Sequence, residues 1–184
     1  EELLMLGATT FIRVGTTGGF RGTAIGDVVV ALAAASLSGI GAVLGGGEPA
    51  APTADLDVVL ALRTAAEGAG LTVHVGPVVT SDVFYDPHPD GVIRWGRRGY
   101  LSAEMETAAL YLLAMRERAR GRPVRAGAIL TVSDVIADPA AAEGVRTSGD
   151  EAWFRPPEDE VTRRADLTIG AALAAAAALG RAAG

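Results

Sequence analysis

Apolar residues along the chain fall into short runs of two kinds. Thr10–Val14, Asp27–Leu32, Thr72–Val79 and Ala126–Val132 are continuous or alternating runs closed off by Gly or polar residues, and they read as strands. Between Asp55 and Gly68, by contrast, Leu56, Val59 and Leu60 recur at helical spacing before a terminating Gly. A second helix is expected over Ala103–Ala119 and a third over most of Asp159–Ala182. Leu3, Leu4 and Leu6 ahead of Gly7 read as the end of a helix that began earlier. Gly15–Gly19 reads as a Gly-rich turn, and Gly45–Pro49, Tyr85–Gly91 and Ala137–Pro157 as loops. Strands alternating with helices predict an α/β fold, a single domain over residues 1–184 with a mixed, largely parallel twisted sheet flanked by helices.

Composition narrows the function classes. The net charge is −6 and all 16 basic residues are Arg, without a basic stripe, which argues against nucleic acid as a partner. The longest apolar run, Ile169–Leu179, is too short to cross a bilayer, so no membrane partner is expected. With no Cys there is no disulfide framework and no thiolate chemistry, which fits a cytoplasmic protein. The two His residues are isolated, and the scattered carboxylates show no metal-ligand spacing. Gly-x-Ser-x-Gly and P-loop signatures are absent as well.

Four places carry candidate chemistry. Arg13 lies in an apolar strand, where a charge must be paired. It is either half of a structural ion pair or an oxyanion site completed by Thr16 and turn amides. Glu106, near the start of the Ala103–Ala119 helix, shares a stripe with Ala109, Leu110 and Leu113, so its carboxylate is expected to aim at the core side. It is either ordinary helix-start chemistry or an acceptor for a sugar diol, with Met105 against the sugar. Ser133-Asp134 is expected to end its strand, as a turn signal or as a functional acid. Phe84, at another strand end, is either core or a stacking surface for a planar ligand.

Five stretches in order resemble the nucleoside phosphorylase family that includes hexameric purine nucleoside phosphorylases and uridine phosphorylases. They are Arg13–Gly19, Gly26–Val30, Thr80–Tyr85, Ala103–Ala108 and Thr131–Asp134. The resemblance implies roles residue by residue. Arg13 and Thr16 match phosphate-binding positions, Thr17 and Gly18 the backbone beside the base, and Phe84 the aromatic against it. Met105 and Glu106 match ribose contacts; Glu104 and Ser133, in the same motifs, join the substrate-binding set. Asp134 matches the catalytic acid that purine-specific members place beside N7, with Arg146 as a candidate assistant. The implied activity is phosphorolysis of a nucleoside, with inorganic phosphate as co-substrate, no cofactor, and a homo-oligomer, dimer or hexamer, as the working form.

Two departures from the family pattern shape these expectations. The family's N-terminal part, with a glycine-rich phosphate loop, a further Arg and a His lent to a neighbouring subunit, has no counterpart in the 184 residues, so a truncated chain is expected. The loop after Phe84 lacks the Gln and Arg with which uridine phosphorylases read a pyrimidine, which favours purine. The rival readings are uridine phosphorylase, a nucleosidase of the same superfamily that uses water and needs no anion clamp at Arg13, and an inactive remnant that only oligomerises.

Overall fold

Runs that are apolar on both sides of a strand are satisfied only between two layers, and the chain builds those layers around Val28–Ala31 and Ala128–Leu130, all fully buried. The structure is a computed structural model describing residues 1–46, 50–86, 88, 91–136, 153–154 and 158–181. In chain order the elements are α1 (Glu2–Met5), β1 (Thr10–Gly19), β2 (Val28–Leu37), α2 (Gly39–Leu44), α3 (Leu56–Gly68), β3 (Val73–Ser81), α4 (Ile93–Gly96), β4 (Ser102–Glu104), α5 (Thr107–Ala119), β5 (Arg125–Ile136), β6 (Trp153–Phe154) and α6 (Glu158–Arg181).

The two long ladders are parallel, β1 on β5 and β2 on β3. Three-residue β4 bridges them, antiparallel to β1 and parallel to β3, while β2 runs antiparallel to β5. Hydrogen bonding therefore passes from β1 through β4, β3, β2 and β5 back to β1 and closes a ring, with β6 added antiparallel to β5. The mixed α/β class is as expected. The sheet is mixed: among the described residues three pairings are parallel, the two long ladders among them, and three shorter ones are antiparallel. Closure removes the exposed edges that an open sheet would leave.

Side-chain alternation along the strands sorts the core in two. Val29, Ala31, Ala128 and Leu130 pack with Ala108, Tyr111 and Ala114 of α5. Val28, Val30 and Ile129 face the other way, onto Val58, Val59 and Leu62 of α3 and Ala171, Ala172 and Ala175 of α6. Small Ala side chains on α6 let it approach α3 and the strands closely. At the far end of α5, buried Glu117 accepts from Arg120 and Arg122, and Arg122 also donates to the Leu4 carbonyl at 2.7 Å, which ties α1 down. No helix among the described residues is long and apolar enough to cross a membrane.

Several boundaries depart from the sequence expectation. Gly15–Gly19 is not a turn but the second half of β1, because β5 offers it backbone partners as far as Val135. β5 likewise runs on to Ile136, so Ser133-Asp134 lies inside a strand. Ala103 and Glu104 belong to β4 and the helix starts only at Thr107. The short helices α2 and α4 carry no period that the sequence reading could detect; α2 is capped by Ser38, whose hydroxyl accepts from the Gly41 amide at 3.1 Å.

Gly127 of β5 shows how closely the α3 layer packs. A Cβ there would come within 2.4 Å of Cγ1 of fully buried Val58. Gly127→Ala is expected to destabilise the fold by about 1–3 kcal/mol through overpacking. Urea unfolding should show a lower midpoint at unchanged slope; an unchanged midpoint would mean that α3 retreats freely.

Candidate functional site

A cleft of about 220 Å³ opens where the carboxyl-terminal halves of β1, β3 and β5 meet β4 and the start of α5. Arg13, Thr16, Thr17, Gly18, Phe84, Glu104, Met105, Glu106, Ser133 and Asp134 all line it, so the residues singled out from the sequence converge. Arg146 lies outside the described residues.

The cleft is organised around a buried carboxylate. Glu104 has a fully buried side chain, and its Oε2 accepts from the amides of Glu106 and Thr107 at 3.0 and 2.9 Å. These are first-turn N–H groups of α5 that lack intrahelical partners, so Glu104 caps the helix from the preceding strand, where the helix dipole also favours its charge. Its Oε1 accepts from the Thr80 hydroxyl, which in turn accepts from the Ala108 amide at 2.9 Å. Burial, with Glu104's charge next, pushes the nearby Tyr111 phenol up, so it stays protonated and donates to the Ala31 carbonyl at 2.6 Å.

Arg13 reaches across to this cap. Its Nη2 pairs with Glu106 and lies 3.5 Å from Glu104 Oε2, while Nη1 is buried without a hydrogen-bond partner among the described residues. Both readings of Arg13 therefore have a footing. One amino group is held by carboxylates; the other is a desolvated donor, costing roughly 1–3 kcal/mol while unmatched and suited to an anion's oxygen.

Glu106 corrects one expectation. Its carboxylate is not aimed at the core: the side chain is 62% exposed in the cleft, on the N-cap residue with φ −135°. The stripe with Ala109, Leu110 and Leu113 assumed a helix already formed at 106, and the helix begins one residue later. The inward carboxylate is Glu104.

On the opposite wall the register of β1 against β5 passes from Thr17↔Val132 to Gly18↔Asp134, so Ser133 is the extra residue of a bulge. A bulge re-aims the side chains that follow it. Ser133 Oγ donates to Asp134 Oδ1 at 2.7 Å, which fixes the carboxyl plane. Gly18 leaves the other oxygen accessible, since a Cβ at 18 would stand 3.2 Å from Asp134 Oδ2. Thr17 donates to the Ala103 carbonyl at 2.8 Å and so turns its hydroxyl to structure. Phe84 is 53% exposed and meets Tyr85 edge-on at 4.9 Å.

Five lining residues were missed. Ser81, Val83 and Ala103 lie within the recognised stretches without a role of their own; Val92 and Ile136 had no local signal.

With this geometry, the chain belongs to the phosphorylase superfamily, whose family model matches residues 1–176. It is 43% identical over 135 residues to a protein of Jannaschia sp. (strain CCS1) named purine nucleoside phosphorylase DeoD-type, covering 73% of this chain and 56% of that one. A Geobacillus sp. (strain WCH70) protein of the same name is 43% identical over 140 residues, covering 74% and 56%. A guanosine phosphorylase of Halorubrum lacusprofundi is 35% identical over 176 residues, covering 95% of this chain and 69% of its own length. The chain thus spans little more than half the length of the DeoD-type relatives.

The two carboxylates should separate in a stability measurement. Glu104→Ala strips partners from two helix amides, the Thr80 hydroxyl and Arg13 together, and is expected to cost about 2–4 kcal/mol. Glu106→Ala, on the exposed rim, should stay within about 1 kcal/mol. Equal losses in thermal unfolding would refute the assignment of Glu104 as the structural cap.

Proposed function

We propose that the protein cleaves the N-glycosidic bond of purine nucleosides with phosphate, yielding free base and ribose 1-phosphate, as a pentosyltransferase. The observation that carries this reading is the buried Nη1 of Arg13, unmatched among the described residues, in the same cleft as Asp134. A hydrolase using water has no use for an anion clamp there; a phosphorylase does. The names of the relatives agree with it.

Phosphate binds Arg13 and Thr16 and displaces Glu106 from the guanidinium. Glu106 is then free to accept from the ribose hydroxyls, with Met105 against the sugar and Phe84 against the base. As the C1′–N9 bond breaks, the sugar becomes oxocarbenium-like and the purine gains electron density. Asp134, oriented by Ser133, gives a proton to N7 and neutralises the leaving base. A phosphate oxygen forms the new bond to C1′. Orientation and electrostatics supply the catalysis, without a covalent enzyme intermediate. Inorganic phosphate is the co-substrate and no cofactor takes part. The working form is a homo-oligomer, dimer or hexamer; exposed Leu3, Met5 and Leu6 on and beside α1 are apolar surface suited to burial between subunits.

At full native length, the protein should release ribose 1-phosphate from inosine only when phosphate is supplied. Arg13→Ala should lower kcat/KM for phosphate by roughly 10- to 100-fold, the worth of a charged hydrogen bond, with far less effect on nucleoside binding. Equal turnover to free ribose in phosphate-free buffer would make the protein a nucleosidase.

Asp134→Asn keeps the volume and loses the transferable proton. Turnover of inosine should fall by about 10²–10⁴, whereas 7-methylguanosine, whose base already carries positive charge, should lose much less. An equal fall on both substrates would reduce Asp134 to a structural role and remove the main support for purine.

A further inference from the structure

In a strand, residues two apart share a face, so the side chain of Arg13 and the α-hydrogen position of Gly15 lie on the same side of β1. The guanidinium folds along the strand onto that glycine. A Cβ built at Gly15 would stand 2.7 Å from Arg13 Nη1, 3.0 Å from Cζ and 3.1 Å from Nη2. Its three nearest neighbours are therefore all atoms of one guanidinium, and no backbone or core side chain is among them. Gly15 is not one of the residues with positive φ, so the strand itself tolerates alanine at this position. Its backbone pairs with Leu130 like any other strand residue.

We infer that Gly15 is a positioning residue for the anion clamp: its missing side chain is the slot in which the Arg13 guanidinium lies, with Nη2 paired to Glu106 and Nη1 over the glycine. The physical argument is one of shape. A guanidinium donates in fixed in-plane directions, so lifting it off the strand by even part of an ångström misaligns the donor meant for the phosphate. The same displacement is cheap for the fold, because the moving group is the far end of a flexible side chain. Gly15 would thus be required by the ligand and not by the strand. This rests on the assignment of Arg13 to phosphate, and the test separates the two.

Gly15→Ala, Arg13→Ala and the double variant are prepared at full native length, and steady-state kinetics are measured against phosphate and against inosine, with thermal unfolding alongside. The expected result is a Gly15→Ala protein that unfolds within a few degrees of the parent, with kcat/KM for phosphate lowered on the order of 10-fold or more and KM for inosine at saturating phosphate little changed. The double variant should be no worse than Arg13→Ala alone, since both changes act through one group. Additive losses in the double variant, an unfolded Gly15→Ala protein, or a Gly15→Ala protein with parental phosphate kinetics would each overturn the role of Gly15. If Arg13→Ala itself leaves phosphate use intact, the phosphate clamp fails first, and the slot with it.

Discussion

The buried carboxylate of Glu104 is the interaction on which the cleft depends. An ionised group with no exposed side-chain surface persists only when every oxygen is matched, and here the matches come from three directions: two amides of α5, the Thr80 hydroxyl of β3, and the Arg13 guanidinium of β1. That one carboxylate sets the start of α5, ties the helix to two strands and gives Arg13 its reference position. It converts a helix terminus and a strand charge, each costly alone, into one satisfied network.

The strands do the rest by where they stop being regular. A five-strand ring held by two long parallel ladders is rigid where the ladders are unbroken, and the irregularities gather at one end. The bulge at Ser133 turns Asp134 into the cleft, Gly18 lets it come close, and β4 ends in the Glu104-Met105-Glu106 step that presents one carboxylate inward and the next outward. Neighbouring carboxylates on one short segment thereby acquire opposite placements, one buried as a helix cap and one exposed in the cleft. Their difference arises from burial and not from residue type.

Arg13 links these parts. It is held at Nη2 by carboxylates and left with a buried donor at Nη1, over a glycine that has no side chain to obstruct it. The pairing with Glu106 has a functional sense in the proposed reaction. In that reaction as proposed, the cation that would take phosphate and the anion that would take the sugar neutralise one another until their ligands arrive, which avoids two unpaired charges in the cleft.

The sequence alone determined the alternation of strands and helices, the positions of the four main strands and of α3, α5 and α6 to within about five residues at their ends, and ten of the fifteen residues that line the cleft. It could do so because hydrophobic period and motif order are local properties of the chain. What only the tertiary structure decided is how these pieces meet. The Gly-rich Gly15–Gly19 run has turn composition, yet it is strand because β5 supplies hydrogen-bond partners along its length. The closing of the ring, with β4 antiparallel to β1 and β2 antiparallel to β5, leaves no trace in the period-2 pattern, which reports burial and not the identity of the neighbour. Helical spacing aimed Glu106 inward, and the folded chain instead buried Glu104, because a partner hydroxyl 24 residues away and an Arg on another strand determine which carboxylate can be desolvated.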